Sequence, residues 1–169
     1  MTPSDLLQDH VRRILATATR VSHELPDQAL GWRPDPQSNS VGWLLWHVGR
    51  VQDDHVAEVA DVEQVWVTGG WARRFGLPDD TMDTGYGHDP DDVAGVQPGS
   101  STVVVDYLTE VTEQTVALLD TVTPEDLDRV VDDSWDPPVT LGVRLNSVVA
   151  DNWQHVGQAG EVRGLWERS

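Results

Sequence analysis

The 169-residue chain contains no cysteine and no lysine. The first absence excludes disulfides, thiolate-ligated zinc and a sulfur nucleophile belonging to the protein. Any metal site must therefore be built from His, Asp or Glu, and any sulfur chemistry needs a thiol brought in from outside. All eleven basic residues are Arg, set against 29 acids, for a formal charge of −18. A nucleic-acid or anionic-membrane surface needs clustered basic side chains, so this balance argues against both and reads as a solvated acidic surface. Long apolar runs are also missing. No stretch approaches the ~18 residues of a membrane span, and the N-terminus lacks the apolar run of a secretory signal. The reading is therefore a cytoplasmic protein. Phe and Tyr are scarce, at one and two, while Trp reaches eight, which points to indoles packed around a core or pocket.

What is present is helical periodicity. Four long segments repeat apolar residues at three- and four-residue spacing. The first runs from Ser4 to His23, carrying Leu7, Val11, Ile14, Ala18 and Val21. The second runs from Ser40 to Ala60, with Val41, Leu44, Val48, Val51, His55 and Val59 in register. The third covers Ser101 to Thr121. The fourth follows Pro137-Pro138, with Thr140 as its N-cap. One domain over residues 1–169 is expected, all-α, as a four-helix bundle. The connections after helices one and three both open on a Pro-acidic short turn, which reads as a faint two-fold repeat of two stacked helical hairpins. Residues 62–100 are far longer than the ~2–8 residues of an ordinary helix connection. They are expected to form a packed crossover between helices two and three, with Trp66, Trp71, Phe75, Tyr86 and Arg73-Arg74 as its anchors.

The fourth helix carries the strongest chemical signal. Asp151 and His155 fall on its apolar stripe with Leu141, Val148, Ala159, Val162 and Trp166. Residues i and i+4 sit one turn apart and point the same way. A buried carboxylate and imidazole must be paired or coordinated, because an unpaired buried charge is costly. They make either an Asp–His hydrogen bond that braces the bundle or two ligands of a metal. A third ligand would come from helix two, where His47 and His55 compete. Eight residues of helix span ~12 Å, so the two cannot converge on one ion, and periodicity does not choose between them. Asp54, seven residues from His47, is separated by the same argument. His10, His23 and His88 read as ordinary core or surface histidines.

Four phrases, NSVGWLLWHVGRVQDDHVAEV, GGWARRFGLP, WDPPVTLGVRL and DNWQHVGQAG, resemble the DinB-like superfamily of four-helix proteins. The likeness is greatest to relatives of the metal-binding domain of mycothiol-dependent maleylpyruvate isomerase, and it extends over nearly the whole chain. It implies a DinB-like bundle and selects His47, Asp151 and His155 as ligands of a divalent metal. Zn heads the expectation, with Ni, Fe and Mn as the other metals such a donor set accepts. Many relatives have His, and the isomerase Glu, where this chain has Asp151; the shorter side chain bears on affinity and metal identity. Nothing is carried over from the C-terminal domain of the isomerase.

The resemblance also implies a reaction: a metal-dependent thiol S-transferase acting on an electrophilic small molecule, with mycothiol or a similar low-molecular-weight thiol as co-substrate. Asp54, His55, Gln158, Arg73 and Trp71 are candidates to support the ligands or touch substrate, and Trp43, Trp46 and Tyr86 to line the pocket. The alternatives are a non-catalytic metal-binding stress-response module and a metal-assisted hydrolase. Gly157, Gly160 and Gly164 would let a neighbouring helix, or a second subunit in a homodimer, approach the last helix.

Overall fold

The computed structural model describes every residue from Met1 to Ser169. Its helices are α1 (Pro3–Ser22), α2 (Asp27–Leu30), α3 (Val41–Ala60), α4 (Val65–Thr68), α5 (Trp71–Phe75), α6 (Pro90–Gly95), α7 (Ser101–Leu119) and α8 (Leu141–Trp166), with one 3-10 turn over Glu125–Asp128. Two short strands, β1 (Val130–Asp132) and β2 (Val139–Thr140), pair antiparallel just before α8. The long helices α1, α3, α7 and α8 form the expected bundle.

Local chemistry sets their starts. Thr2 and Asp5 form a reciprocal capping box at α1, two residues before Ser4, which instead donates its hydroxyl to the Val122 carbonyl. Ser40, Ser100 and Thr140 each accept a backbone N–H at the starts of α3, α7 and α8. Each such cap satisfies a donor that has no partner within its helix.

Two hairpins stacked side by side is not the arrangement found. Going round the bundle the order is α1, α7, α3, α8, so helices joined in sequence, α1 with α3 and α7 with α8, lie across the diagonal. The start of α1 meets the end of α7 through Ser4 and Val122, and His55 near the end of α3 meets Arg144 near the start of α8. Gly49 of α3 lies against Tyr107 and Leu108, and Gln52, further along α3, bonds Thr115, further along α7, so α3 and α7 are parallel neighbours. Parallel neighbours need a connection that returns the full length of the bundle, and residues 62–100 supply it. This segment packs on the outer side of α3, leaving every residue from Val41 to Arg50 buried.

The core is built on Ile14, Ala18, Leu44, Leu45, Val48, Val104, Leu108, Val111, Val156 and Ala159. Each fully buried aliphatic side chain of this kind contributes about 1.5–3 kcal/mol relative to an exposed one. In the second half of α3 the inward positions include polar residues: Gln52 and Asp53 are buried with Val56 and Ala57, whereas Val51, His55 and Val59 lie at the edge. Gln52 donates to Thr115 and accepts from Asn152 of α8, tying three helices through one buried amide. The buried face of α8 likewise centres on Leu145, Val149, Asn152, Val156 and Ala159. Asp151 and His155 therefore flank the core and are half-buried. A Cβ at Gly157 would meet nothing within 4 Å, so that glycine serves no close helix approach inside the bundle.

Candidate metal centre

α3 and α8 run antiparallel and present side chains to each other across a cleft. His47 projects from a stretch of α3 that is buried all round and is itself 5% exposed. Its Nε2 lies 3.6 Å from Asp151 Oδ2, and His155 Nε2 lies 3.4 Å from Asp151 Oδ1. The two imidazoles meet edge to face with centroids 4.7 Å apart. One donor atom from each of His47, Asp151 and His155 falls within 4.8 Å of the others, so the three could close on one cation.

The far side of each ring is occupied. His47 Nδ1 donates to the Thr84 carbonyl, and His155 Nδ1 donates to Gln158 Oε1 at 2.8 Å. Holding one proton of each ring on Nδ1 turns both Nε2 atoms toward the carboxylate, the usual way in which an outer partner sets a histidine ligand. Trp43 stacks on His47 with centroids 4.8 Å apart and planes 10° apart, fixing the ring's tilt. Asp151 Oδ2 is buried and accepts no hydrogen bond. A buried carboxylate oxygen without a partner is costly, and a cation between the two imidazoles would relieve that cost. The donor set thus fits a divalent metal.

The protonation balance follows from the same contacts. Burial pushes the His47 pKa down, further than its bond to Thr84 raises it. The hydrogen bond to Asp151 raises that of His155 against the effect of burial. Burial works to raise Asp151, but the hydrogen bond from His155 and the charges of His155, His47 and His55 leave it lowered.

Thr84 belongs to the crossover, and its position depends on Arg50. This guanidinium, fully buried, donates to the Asp83 carbonyl through Nε and to the Thr81 carbonyl through Nη2, each at 2.9 Å. Its Nη1 reaches Gln64 Oε1 at 3.0 Å, and Asp53 lies 3.5 Å away. Asp53 in turn accepts the backbone N–H groups of Val65 and Trp66 and the Tyr107 hydroxyl. Gly85, at φ +87°, lets the strap pass so close that a Cβ there would lie 3.0 Å from His47 Nδ1.

A cleft of about 500 Å³ opens beside the three residues. Asp54 and His55 line it, as does Tyr86 from the crossover. Asp54 accepts from Gln64, and His55 accepts from Arg144. Burial first, then the Arg144 charge, pushes the His55 pKa down. The residues sought as ligand supports divide accordingly: Gln158 touches His155, and Asp54 and His55 face the cleft. Trp71 and Arg73 do not. Trp71 is wholly buried against Phe75 and Tyr107 and donates to Glu110, because α5 packs on α7 away from α8. Arg73 is exposed on α5, while Arg74 stacks on Trp71 and pairs with Asp106. Trp43 and Trp46 back the site from behind rather than line the cleft.

Sequence reasoning did not find Thr84, Arg50, Asp53 or the β1–β2 hairpin, whose Trp135 and Val139 form part of the cleft wall. A buried Arg with an acid three residues on was the available signal for the Arg50–Asp53 pair. Nothing local marks Thr84, because its contribution is a carbonyl.

A model of the DinB superfamily matches residues 10–159. A crystal structure of a conserved protein from Enterococcus faecalis shares 30% sequence identity with the chain and superposes with a TM-score of 0.89, covering 96% of each chain. No curated protein matches the chain in sequence.

Proposed function

The chain belongs to the DinB superfamily, and from that premise we propose that His47, Asp151 and His155 hold a divalent metal used to transfer a low-molecular-weight thiol to an electrophile. The observation that carries this reading is the Asp151 carboxylate, its Oδ2 unpartnered, set between two Nε2 atoms whose rings are held from behind. Two imidazoles and a carboxylate leave coordination positions open. Zn suits the set first, with Ni, Fe and Mn as the other metals it accepts. The bound cation supplies acidification of a thiol or water ligand, bringing its pKa toward neutrality.

The chain's own residues do the rest. Thr84 and Gln158 keep the imidazole protons away from the cation, and Asp151 supplies one negative charge. Val51, Val139, Val143 and Val148 line the cleft with apolar surface and limit the water around the reacting atoms. In the overall reaction the thiol loses its proton and its sulfur forms a bond to carbon, while the acceptor takes up a proton or expels a leaving group. With no cysteine in the chain, the sulfur comes from a co-substrate such as mycothiol. The open cleft beside the three residues favours this reading over a closed, purely structural metal site.

The test is elemental analysis of untagged protein beside His47→Ala and His155→Ala, followed by thiol consumption with a panel of electrophiles. Near-stoichiometric metal, lost in both variants, together with chelator-sensitive thiol consumption, is expected. Metal-free protein that takes up no added Zn would end the proposal. Turnover that needs metal but no thiol would redirect it to hydrolysis.

A further inference from the structure

The cleft has a second polar end. Arg144 Nη1 donates to His55 Nδ1 at 3.3 Å, a contact that bridges α3 and α8 just as His47 and Asp151 do at 3.6 Å. The two bridges are rungs of one ladder. His47 and His55 are eight residues apart on α3, and Asp151 and Arg144 seven apart on α8, so helix geometry separates the rungs by ~10–12 Å on both sides. Midway between them on the two helices stand Val51 and Val148, and both line the cleft.

Six buried side-chain atoms in the molecule lack a hydrogen-bond partner, and only two of these belong to charged residues: Asp151 Oδ2 and Arg144 Nε. Both residues line this one cleft, at opposite ends. On the metal reading, a cation would satisfy the first. The second is an N–H donor on a guanidinium, and what it lacks is an acceptor.

Resting on the metal reading of the triad, we propose that the cleft takes a small monocarboxylate that spans the two rungs, its reacting group at His47, Asp151 and His155 and its carboxylate on Arg144. The surrounding charges set the class of anion. Arg144 Nη2 is already paired with Asp132 at 3.0 Å, and Asp54 lines the same cleft. A half-neutralised guanidinium accepts a planar, singly charged carboxylate, whereas a phosphate dianion would meet both acids. The valines between the rungs select an unbranched or flat apolar middle.

Mercaptoalkanoic acids measure both ends at once. Co(II)-loaded protein is titrated with 3-mercaptopropanoic and 6-mercaptohexanoic acids and with their methyl esters. The sulfur-to-cobalt absorption band reports the thiol end. The difference between acid and ester reports the Arg144 end. The longer acid is expected to bind roughly 10- to 100-fold more tightly than its ester, the worth of a charge-assisted hydrogen bond, and the shorter acid to show no such gain. Arg144→Gln should reduce the long acid to the affinity of its ester and leave the ester unchanged. Because that variant also loses the Asp132 pair, Arg144→Lys and His55→Gln provide second readings, and the wild-type comparison of acid with ester needs no variant. A normal band with equal affinity for acid and ester at both lengths overturns the proposal and leaves the metal reading standing. No band with any thiol, or no cobalt uptake, overturns both.

Discussion

The imidazole of His47 donates its Nδ1 proton to the carbonyl of Thr84, joining the buried half of α3 to a strap thirty-seven residues further along the chain. This single bond leaves Nε2 as the lone pair that faces Asp151. The crossover is thus part of the candidate site as well as the link between parallel helices.

Gly85→Ala tests that coupling. The added methyl would sit 3.0 Å from His47 Nδ1 and 2.9 Å from the Trp46 ring, at a backbone angle of +87° that alanine resists. Displacing an outer partner of a metal-binding histidine weakens metal by about 10- to 100-fold. Competition with a chromophoric chelator should show a loss of that size for Zn while far-ultraviolet circular dichroism stays helical. Unchanged affinity would mean that Thr84 has no hold on the ligand.

Proton release should accompany metal uptake. The His155 pKa is raised above 6.5 through its bond to Asp151, whereas burial has lowered that of His47. Just above pH 6.5 the metal-free protein therefore keeps a second proton on His155, whereas His47 holds only the Nδ1 proton that it shares with Thr84. Metal displaces the His155 proton, so affinity falls as pH drops through the raised value, starting higher than for an ordinary histidine. Calorimetry in buffers of different ionisation enthalpy should find up to one proton released near neutrality, tending to zero as pH rises. Without metal the two effects on stability oppose each other. The His155 contribution is present below 6.5 and lost as pH rises through its folded pKa; the His47 contribution is lost as pH falls below 6.5. A pH-independent affinity between 6 and 8 would contradict the assignment.

Asp53→Ala should be among the most damaging substitutions. The carboxylate is fully buried, faces Arg50 at 3.5 Å, and accepts the N–H groups of Val65 and Trp66 and the Tyr107 hydroxyl. Removing one partner of a buried pair costs about 3–5 kcal/mol. Urea unfolding should show a loss of that order, and metal affinity should fall with it as the strap loosens. A cost below ~1 kcal/mol, the range of an exposed pair, would show that the pair is dispensable.

Salt should stabilise the protein. A charge of −18 on 169 residues repels itself in the folded state, and ~0.1 M salt shortens the reach of that repulsion to about 10 Å. The melting temperature should rise by several degrees when sodium chloride is added to a low-salt buffer. A fall would indicate that ion pairs such as Arg144–Asp132 and Arg74–Asp106 dominate.

The sequence by itself determined the four long helices and the adjacency of Asp151 and His155. Ser40, Ser100 and Thr140 cap where a side-chain oxygen precedes an apolar repeat, and Asp151 and His155 are neighbours wherever residues i and i+4 share a helix. These are local facts, fixed by 3.6 residues per turn. The choice of His47 over His55 came through the family resemblance, because both histidines fit the apolar period of α3. Tertiary structure decided the rest. The buried faces of α3 and α8 turned out to centre on Gln52 and Asn152, amides that bond each other and so can enter a core that periodicity reserves for aliphatic residues. That turn carried Val51 and His55 to the rim on one helix and Asp151 and His155 on the other, making a cleft where the apolar pattern implied a seam. The diagonal placement of consecutive helices, the Arg50 anchor and the Thr84 carbonyl are contacts across tens of residues, and a backbone oxygen is the same atom at every position in a sequence.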